Sequence, residues 1–158
     1  MNSNKNERGF SLVELLVVVI IIAIVAAIAI PNLLASRRAA NEASAISSLR
    51  TIHSAEATYQ ATTGNSVTYA SGAGLTGLVD AVLAQDTFNK SGYTFTVTRG
   101  ADPFTTYCAE AHPTDPGSSG VRSFAVGIDG VINFDPADAA ACDPDTGLVT
   151  TGAPLGGS

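Results

Sequence analysis

The sequence has no tryptophan, one methionine, two histidines and two cysteines, and only 14% of its residues are charged. Each scarcity narrows the range of functions. Eight Lys and Arg stand against fourteen Asp and Glu, for a net charge of −6. From Gly100 to Ser158 eight acids face one base, Arg122. A nucleic-acid groove needs clustered Lys and Arg, so no nucleic-acid site is assigned, and the acidic half suits a solvated surface. No Gly-rich phosphate loop and no G-x-S-x-G nucleophile turn is present, so no catalytic residue and no cofactor is expected. No internal repeat is visible.

The metal-ligating residues are equally sparse. Cys108 and His112 are four apart, but two ligands on a strand make a weak metal pair, and an exported cysteine is more often disulfide-bonded. Asp129, Asp135, Asp138, Asp143 and Asp145 could offer oxygens to Ca²⁺, yet their spacing is not that of an EF-hand loop. A solvated acidic face accounts for them, and no metal is assigned. Asn89-Lys90-Ser91 fits a glycosylation sequon, but Lys90-Ser91-Gly92 is explained as a turn before a strand. The cysteines leave the compartment open: buried thiols in a cytosol, a disulfide outside it.

What the chain does have is a long apolar run near its start. Leu15 through Ile30 is unbroken Leu, Val, Ile and Ala. Extended back to Phe10 it makes a helix of about 21 residues, roughly 31 Å, enough to cross a hydrocarbon core. Lys5 and Arg8 precede it and belong on the cytoplasmic side, partly offset by Glu7. Between Phe10 and Ser36 the one charged residue is Glu14. A carboxylate at the bilayer centre costs on the order of 2.5–3.5 kcal/mol and normally has a partner. Two readings arise: Glu14 rests at headgroup depth against the positive end of the helix dipole, or it awaits a cation from another subunit. An ordinary secretory signal is cleaved after its apolar core. Here the polar-to-apolar junction is Gly9–Phe10, before the core, and cleavage there would leave the apolar helix as the new N-terminus.

The stretch RGFSLVELLVVVIIIAIVAAIAIPN resembles the class III signal of type IV pilins and type II secretion pseudopilins at Gly9, Phe10, Ser11, Leu12, Val13, Glu14 and Pro31. The resemblance implies cleavage between Gly9 and Phe10 by a prepilin peptidase that also N-methylates Phe10. It implies that Glu14 pairs with the N-terminal ammonium of the adjacent subunit during assembly. Pro31 is then a candidate flex point, since proline removes a backbone donor and kinks or loosens a helix. The implied partners are other copies of the chain and minor pilins, the peptidase/methyltransferase, an inner-membrane assembly platform and an outer-membrane secretin. The chain would be a single-pass inner-membrane protein before assembly.

After Pro31, Ile46, Leu49, Ile52 and Tyr59 keep helical spacing, with Arg37, Arg38, Glu42, Arg50 and Glu56 as polar positions and Gly64 as a stop. Residues 66–85 read as a loop and a short helix whose apolar face is Leu75, Leu78, Val79, Val82 and Leu83. Strands are expected near Tyr93–Thr98 and Phe104–Ala111, then a pair joined by a two-residue turn at Asp129-Gly130. The fold class is α+β: a long N-terminal helix, apolar then amphipathic, packed on a small antiparallel sheet of about four strands. The expected divisions are a leader at 1–9, a membrane or filament-core helix at 10–30, an amphipathic helix at 31–64, and a loop, sheet and disulfide-tied region at 65–158.

The tail after Asp135 is rich in Pro, Gly and Asp and has little to fold around. Tying its Cys142 to Cys108 would contribute roughly 4 kcal/mol in the chain-entropy model. Such a bond resembles the C-terminal staple of type IV pilins, whereas many major pseudopilins use calcium instead. Three functions follow from this reading: a pilin polymerising into a surface pilus, a pseudopilin forming a periplasmic pseudopilus, or a non-polymerising membrane-anchored binding module. The last predicts that Glu14→Leu is harmless.

Overall fold

The computed structural model of the chain describes residues 10–101 and 104–156. Lys5, Arg8 and Gly9 lie outside the described residues. The chain divides into two compact units, Met1–Ser36 and Arg37–Ser158.

Between Ser11 and Gly64 the sequence has no glycine and a single proline, Pro31, and one helix, α1, runs from Leu12 to Thr62, 51 residues, although Val and Ile dominate its start. It continues through Pro31, where the Asn32 side-chain amide donates to the Ile28 carbonyl at 3.1 Å. The helix stops where the sequence predicts: the Thr63 and Gly64 amides both close on the Tyr59 carbonyl, and Asn65 and Ser66 take positive φ. In the first unit the large apolar side chains from Phe10 to Leu34 are exposed, Phe10 at 84% and Leu34 at 45%. This is a surface without a core.

The second unit has the core. Glu42, Ala45, Ser48, Leu49, Ile52, Ala55 and Glu56 are the buried face of α1. They pack on an antiparallel sheet of six strands in the order β1 (Thr87–Lys90), β2 (Tyr93–Arg99), β3 (Tyr107–Pro113), β4 (Ser123–Val126), β5 (Ile132–Asp135) and β8 (Ala153–Pro154). Alternation along each strand decides which side chains face the helix. Tyr93, Phe95 and Val97 of β2 are buried inward, and Tyr107, Ala109 and Ala111 of β3, Phe124 and Val126 of β4 and Ile132 of β5 join them in one cluster. Phe88 stacks on Phe95 with ring centroids 4.7 Å apart.

The strand count is a correction to the four expected. The strand β1 was missed because Thr87–Lys90 is short and follows a loop. The strand β8 and a separate hairpin of β6 (Cys142–Asp143) with β7 (Leu148–Val149) lie in the tail. That tail folds because it has the sheet's outer face to pack on.

Two turns also differ. The pairing Val126↔Ile132 makes the connection around Asp129-Gly130 five residues long, 127–131. The two-residue turn is Ser91-Gly92 between Lys90 and Tyr93, with φ of 51° and 73° at its two residues, the left-handed pair such a hairpin needs. No α-helix forms at 66–85: residues Gly72–Leu75 make a single 3-10 turn. Three glycines there weaken a helix, Gly77 takes φ +90°, and Asp80 accepts the Val82 and Leu83 amides as a turn cap. Leu75 and Leu83 are buried; Leu78 and Val82 remain exposed.

Candidate assembly site

The site grows from the first turn of α1. Ser11 stands just before the helix and Glu14 three residues later, the spacing at which a glutamate reaches back to the residue that begins a helix. The Ser11 amide donates to Glu14 Oε2 at 2.9 Å, and the Leu15 amide closes the first turn on the Ser11 carbonyl at 3.2 Å. The carboxylate is thereby fixed at the positive end of the helix dipole. Among the described residues Oε2 accepts this bond and Oε1 accepts none. Phe10 is next to this turn and exposed. Around it Val13, Val17 and Val18 are exposed apolar neighbours. One helix in the described residues is long and apolar enough to cross a membrane, and its apolar stretch is wholly uncovered in the single chain.

The second group of sequence-predicted residues is in the globular unit. Cys108 of β3 and Cys142 of β6 are joined in a disulfide, their Cα atoms 5.8 Å apart. The thiolate that a Cys108–His112 metal pair would need is consumed by this bond. Around it Ala125, Ala140 and Val149 make a second small apolar cluster on the outer face of the sheet. The Cys142 amide donates to Glu110 Oε1 at 2.7 Å, and the Ala140 amide donates to Ser123 Oγ at 2.8 Å. His112 adds a charged tie, with Nδ1 2.9 Å from Asp138 Oδ1 and Nε2 3.7 Å from Glu110 Oε2. The Glu110 carboxylate first, and Asp138 after it, push the His112 imidazolium up to about 9 against the opposing effect of burial. Burial acts to raise Glu110, but bonds from His112 and the Cys142 amide outweigh it and hold the carboxyl below its usual range.

The acidic residues singled out in the tail do local work. Asp129, Asp135 and Asp143 accept the Val131, Ala137 and Asp145 amides as turn caps. Among the described residues no three of His, Cys, Asp and Glu converge to hold a metal ion.

Sequence reasoning missed two buried acids, read as polar positions of α1. Glu42 binds Arg122 through Nε at 2.9 Å and Nη2 at 2.7 Å, and its other oxygen takes the Val121 and Arg122 amides. Burial works against ionisation there, yet those donors bring its pKa below the ordinary value. Glu56 is fully buried, with Oε2 accepting the Ala70 amide at 2.9 Å and Oε1 without a partner among the described residues. Burial, only partly offset by that one bond, raises it to about 8. The signal was in the spacing: positions 42, 45, 49, 52 and 56 follow the three-and-four rhythm of one helix face.

Comparison with known proteins bears on the first of these two regions. A family model described as the prokaryotic N-terminal methylation motif matches residues 4–30. The chain is 58% identical over 38 residues to the type IV wide pilus major component PilA4 of Thermus thermophilus, a match covering 24% of this chain and 29% of that relative. No solved structure matches. Motif and relative agree on the N-terminal segment, which carries the prokaryotic N-terminal methylation motif and is similar to that of a type IV pilus major component.

Proposed function

We propose that this chain is a structural subunit that polymerises through its N-terminal helix into a type IV pilus on the cell surface, in motility, adhesion or DNA uptake. The observation that carries the reading is a lone carboxylate one turn inside a helix whose apolar side chains are uncovered from Phe10 to Leu34, with one carboxylate oxygen engaged among the described residues. Burying a Leu, Ile, Val or Phe side chain gains about 1.5–3 kcal/mol, so such a helix is stable only in lipid or among copies of itself. Moving it from lipid into a bundle adds little apolar gain. Register must then come from a polar contact, and Glu14 is the acid available for it.

In this reading residues 1–9 are a leader and 10–30 the membrane and filament-core helix. Hydrolysis of the Gly9–Phe10 bond frees the Phe10 amine, whose neutral form takes a methyl group from a sulfonium methyl donor and gives up a proton; the resulting secondary amine is then protonated to the cation. That cation pairs with Glu14 Oε1 of a neighbouring copy while Oε2 stays on Ser11. The charges are then buried as a pair rather than singly, which an apolar bundle tolerates. Pro31 is the flex point of the helix, and the disulfide holds the tail on the sheet. The partners are copies of the chain, minor pilins, the prepilin peptidase/methyltransferase, an inner-membrane assembly platform and an outer-membrane secretin.

The test is Glu14→Leu in the producing cell. The substituted chain should be present in the inner membrane with filaments absent. Filaments at normal yield would overturn the proposal.

A further inference from the structure

Glu56 has no part in the assembly chemistry, and its surroundings suit an acid rather than an anion. It is fully buried, Oε2 accepts the Ala70 amide, and Oε1 has no partner among the described residues. Glu42, the other buried acid of α1, is ionised only because two guanidinium bonds and two backbone amides engage its oxygens. A buried carboxylate with a single donor is costly, so Glu56 keeps its proton.

The groups around it bring no compensating charge. On α1, His53 and Tyr59 stand three residues to either side, and His53 Nδ1 is bonded to the Tyr107 hydroxyl. Tyr107 comes from β3 and Tyr69 from the segment after the helix, their ring centroids 5.0 Å apart. Burial first, then Glu56, Tyr69 and Asp129 of the 127–131 turn, hold the Tyr107 hydroxyl far above the usual tyrosine range. Arg99 lies over the Phe104 ring and makes no ion pair among the described residues.

The walls of this site differ in strength. Helix bonds hold α1, and β3 is paired on both sides, with β2 and with β4. Residues 64–71, between the helix stop and the 3-10 turn, have neither support. Asn65 and Ser66 take positive φ there. Beyond the helix end, two bonds tie this segment to the rest of the unit: the Tyr69 amide donates to the Phe104 carbonyl at 2.9 Å, and the Ala70 amide to Glu56 at 2.9 Å. Lifting it is the least disruptive way to bring water to the carboxyl.

We propose that residues 64–71 are a flap and Glu56 its latch: the neutral carboxyl keeps the flap shut, and loss of its proton lifts the flap so that water solvates the carboxylate. An open flap bares the Tyr69 and Tyr107 rings, a surface covered in acid and offered in alkali. The inference rests on the globular unit alone and not on processing or assembly. The carboxyl titrates near its ordinary 4.5 with the flap open and is raised by burial to about 8 with it shut. Opening therefore grows by up to about tenfold per pH unit between those values and levels off above them.

The experiment is hydrogen exchange read by mass spectrometry on the full chain in detergent from pH 5 to pH 9, each rate divided by the intrinsic rate at that pH. Protection of residues 64–71 should fall as pH rises while β2 and β3 keep theirs, and Glu56→Gln should give a flat profile. A variant with the parent's slope overturns the latch. Loss of protection in β2 and β3 together with 64–71 overturns the flap. A second measurement needs no variant: the infrared carbonyl band of a protonated carboxyl should be present in the parent at pH 6.5 and gone by pH 9. Its absence at pH 6.5 overturns the proposal as well.

Discussion

Replacing Glu56 with glutamine should make the globular unit less sensitive to alkali. Glu56 is fully buried and its carboxyl is raised from 4.5 to about 8 by burial. Below pH 4.5 folded and unfolded chains both hold the proton, and the group makes no pH-dependent difference. As pH rises from 4.5 through 8 the unfolded chain releases its proton while the folded chain keeps it. Stability present at acid pH is therefore lost as pH climbs, at up to about 1.4 kcal/mol per unit. Over that window the ceiling is about 5 kcal/mol, and relaxation around the ionised group brings the expectation to about 2–3 kcal/mol. Glu56→Gln keeps an acceptor for the Ala70 amide and cannot ionise. At about 4 °C per kcal/mol for a unit of this size, Tm of the variant should gain about 8–12 °C on the parent between pH 4.5 and 8. The assay is thermal unfolding of the full chain in detergent, followed by tyrosine near-ultraviolet circular dichroism. His112 titrates alike in both proteins and cancels. Parallel pH profiles for parent and variant would refute the argument.

Other expectations follow from the outer face of the sheet and from the helix. Reducing Cys108–Cys142 should cost about 4 kcal/mol in urea unfolding and speed amide exchange in residues 136–151 before β2 and β3 are affected; unchanged exchange there would count against the staple. The His112 tie is a raised base, so its stabilisation is full below pH 6.5 and lost as pH rises through about 9. Because that side chain is 34% exposed, His112→Gln should cost only about 1–2 kcal/mol at pH 6 and nothing at pH 10, measured as a difference in urea midpoint. Pro31→Ala restores a donor to the Ala27 carbonyl and should slow amide exchange across residues 27–35 by up to about 3 kcal/mol of local stability, leaving the melting of the globular unit unchanged.

How much was legible in the sequence differs by element. The long helix and its stop were legible because apolar spacing and Gly64 act locally. The strand β2 followed from alternation, since Tyr93, Phe95 and Val97 face one side, whereas the next strand, expected near Phe104–Ala111, runs from Tyr107 to Pro113. The tail strands β6, β7 and β8 were not legible: two-residue strands carry no periodicity, and what holds them is far away in sequence, the disulfide, Glu110 and Ser123 for the β6–β7 hairpin and the strand β5 for β8. The five-residue turn at 127–131 was hidden by an Asp-Gly pair that fits a shorter one, while Gly130 serves to clear the His53 ring, which a Cβ would approach to 2.6 Å. Glu42 and Glu56 were misread because charge in a sequence suggests solvent, and only Arg122 and Ala70, brought in by the fold, reveal what they hold. At the assembly site the order of residues was plain, but the reach of Glu14 back to Ser11 required the helix start to be placed to the residue.

Processing at Gly9–Phe10 and assembly into a surface filament together set the intact mass of the protein in a sheared cell-surface fraction, before and after reduction. The expected species is a chain beginning at N-methylated Phe10 that gains two hydrogens on reduction. A surface pool with its leader still attached, or a processed chain confined to the cell envelope, would contradict it.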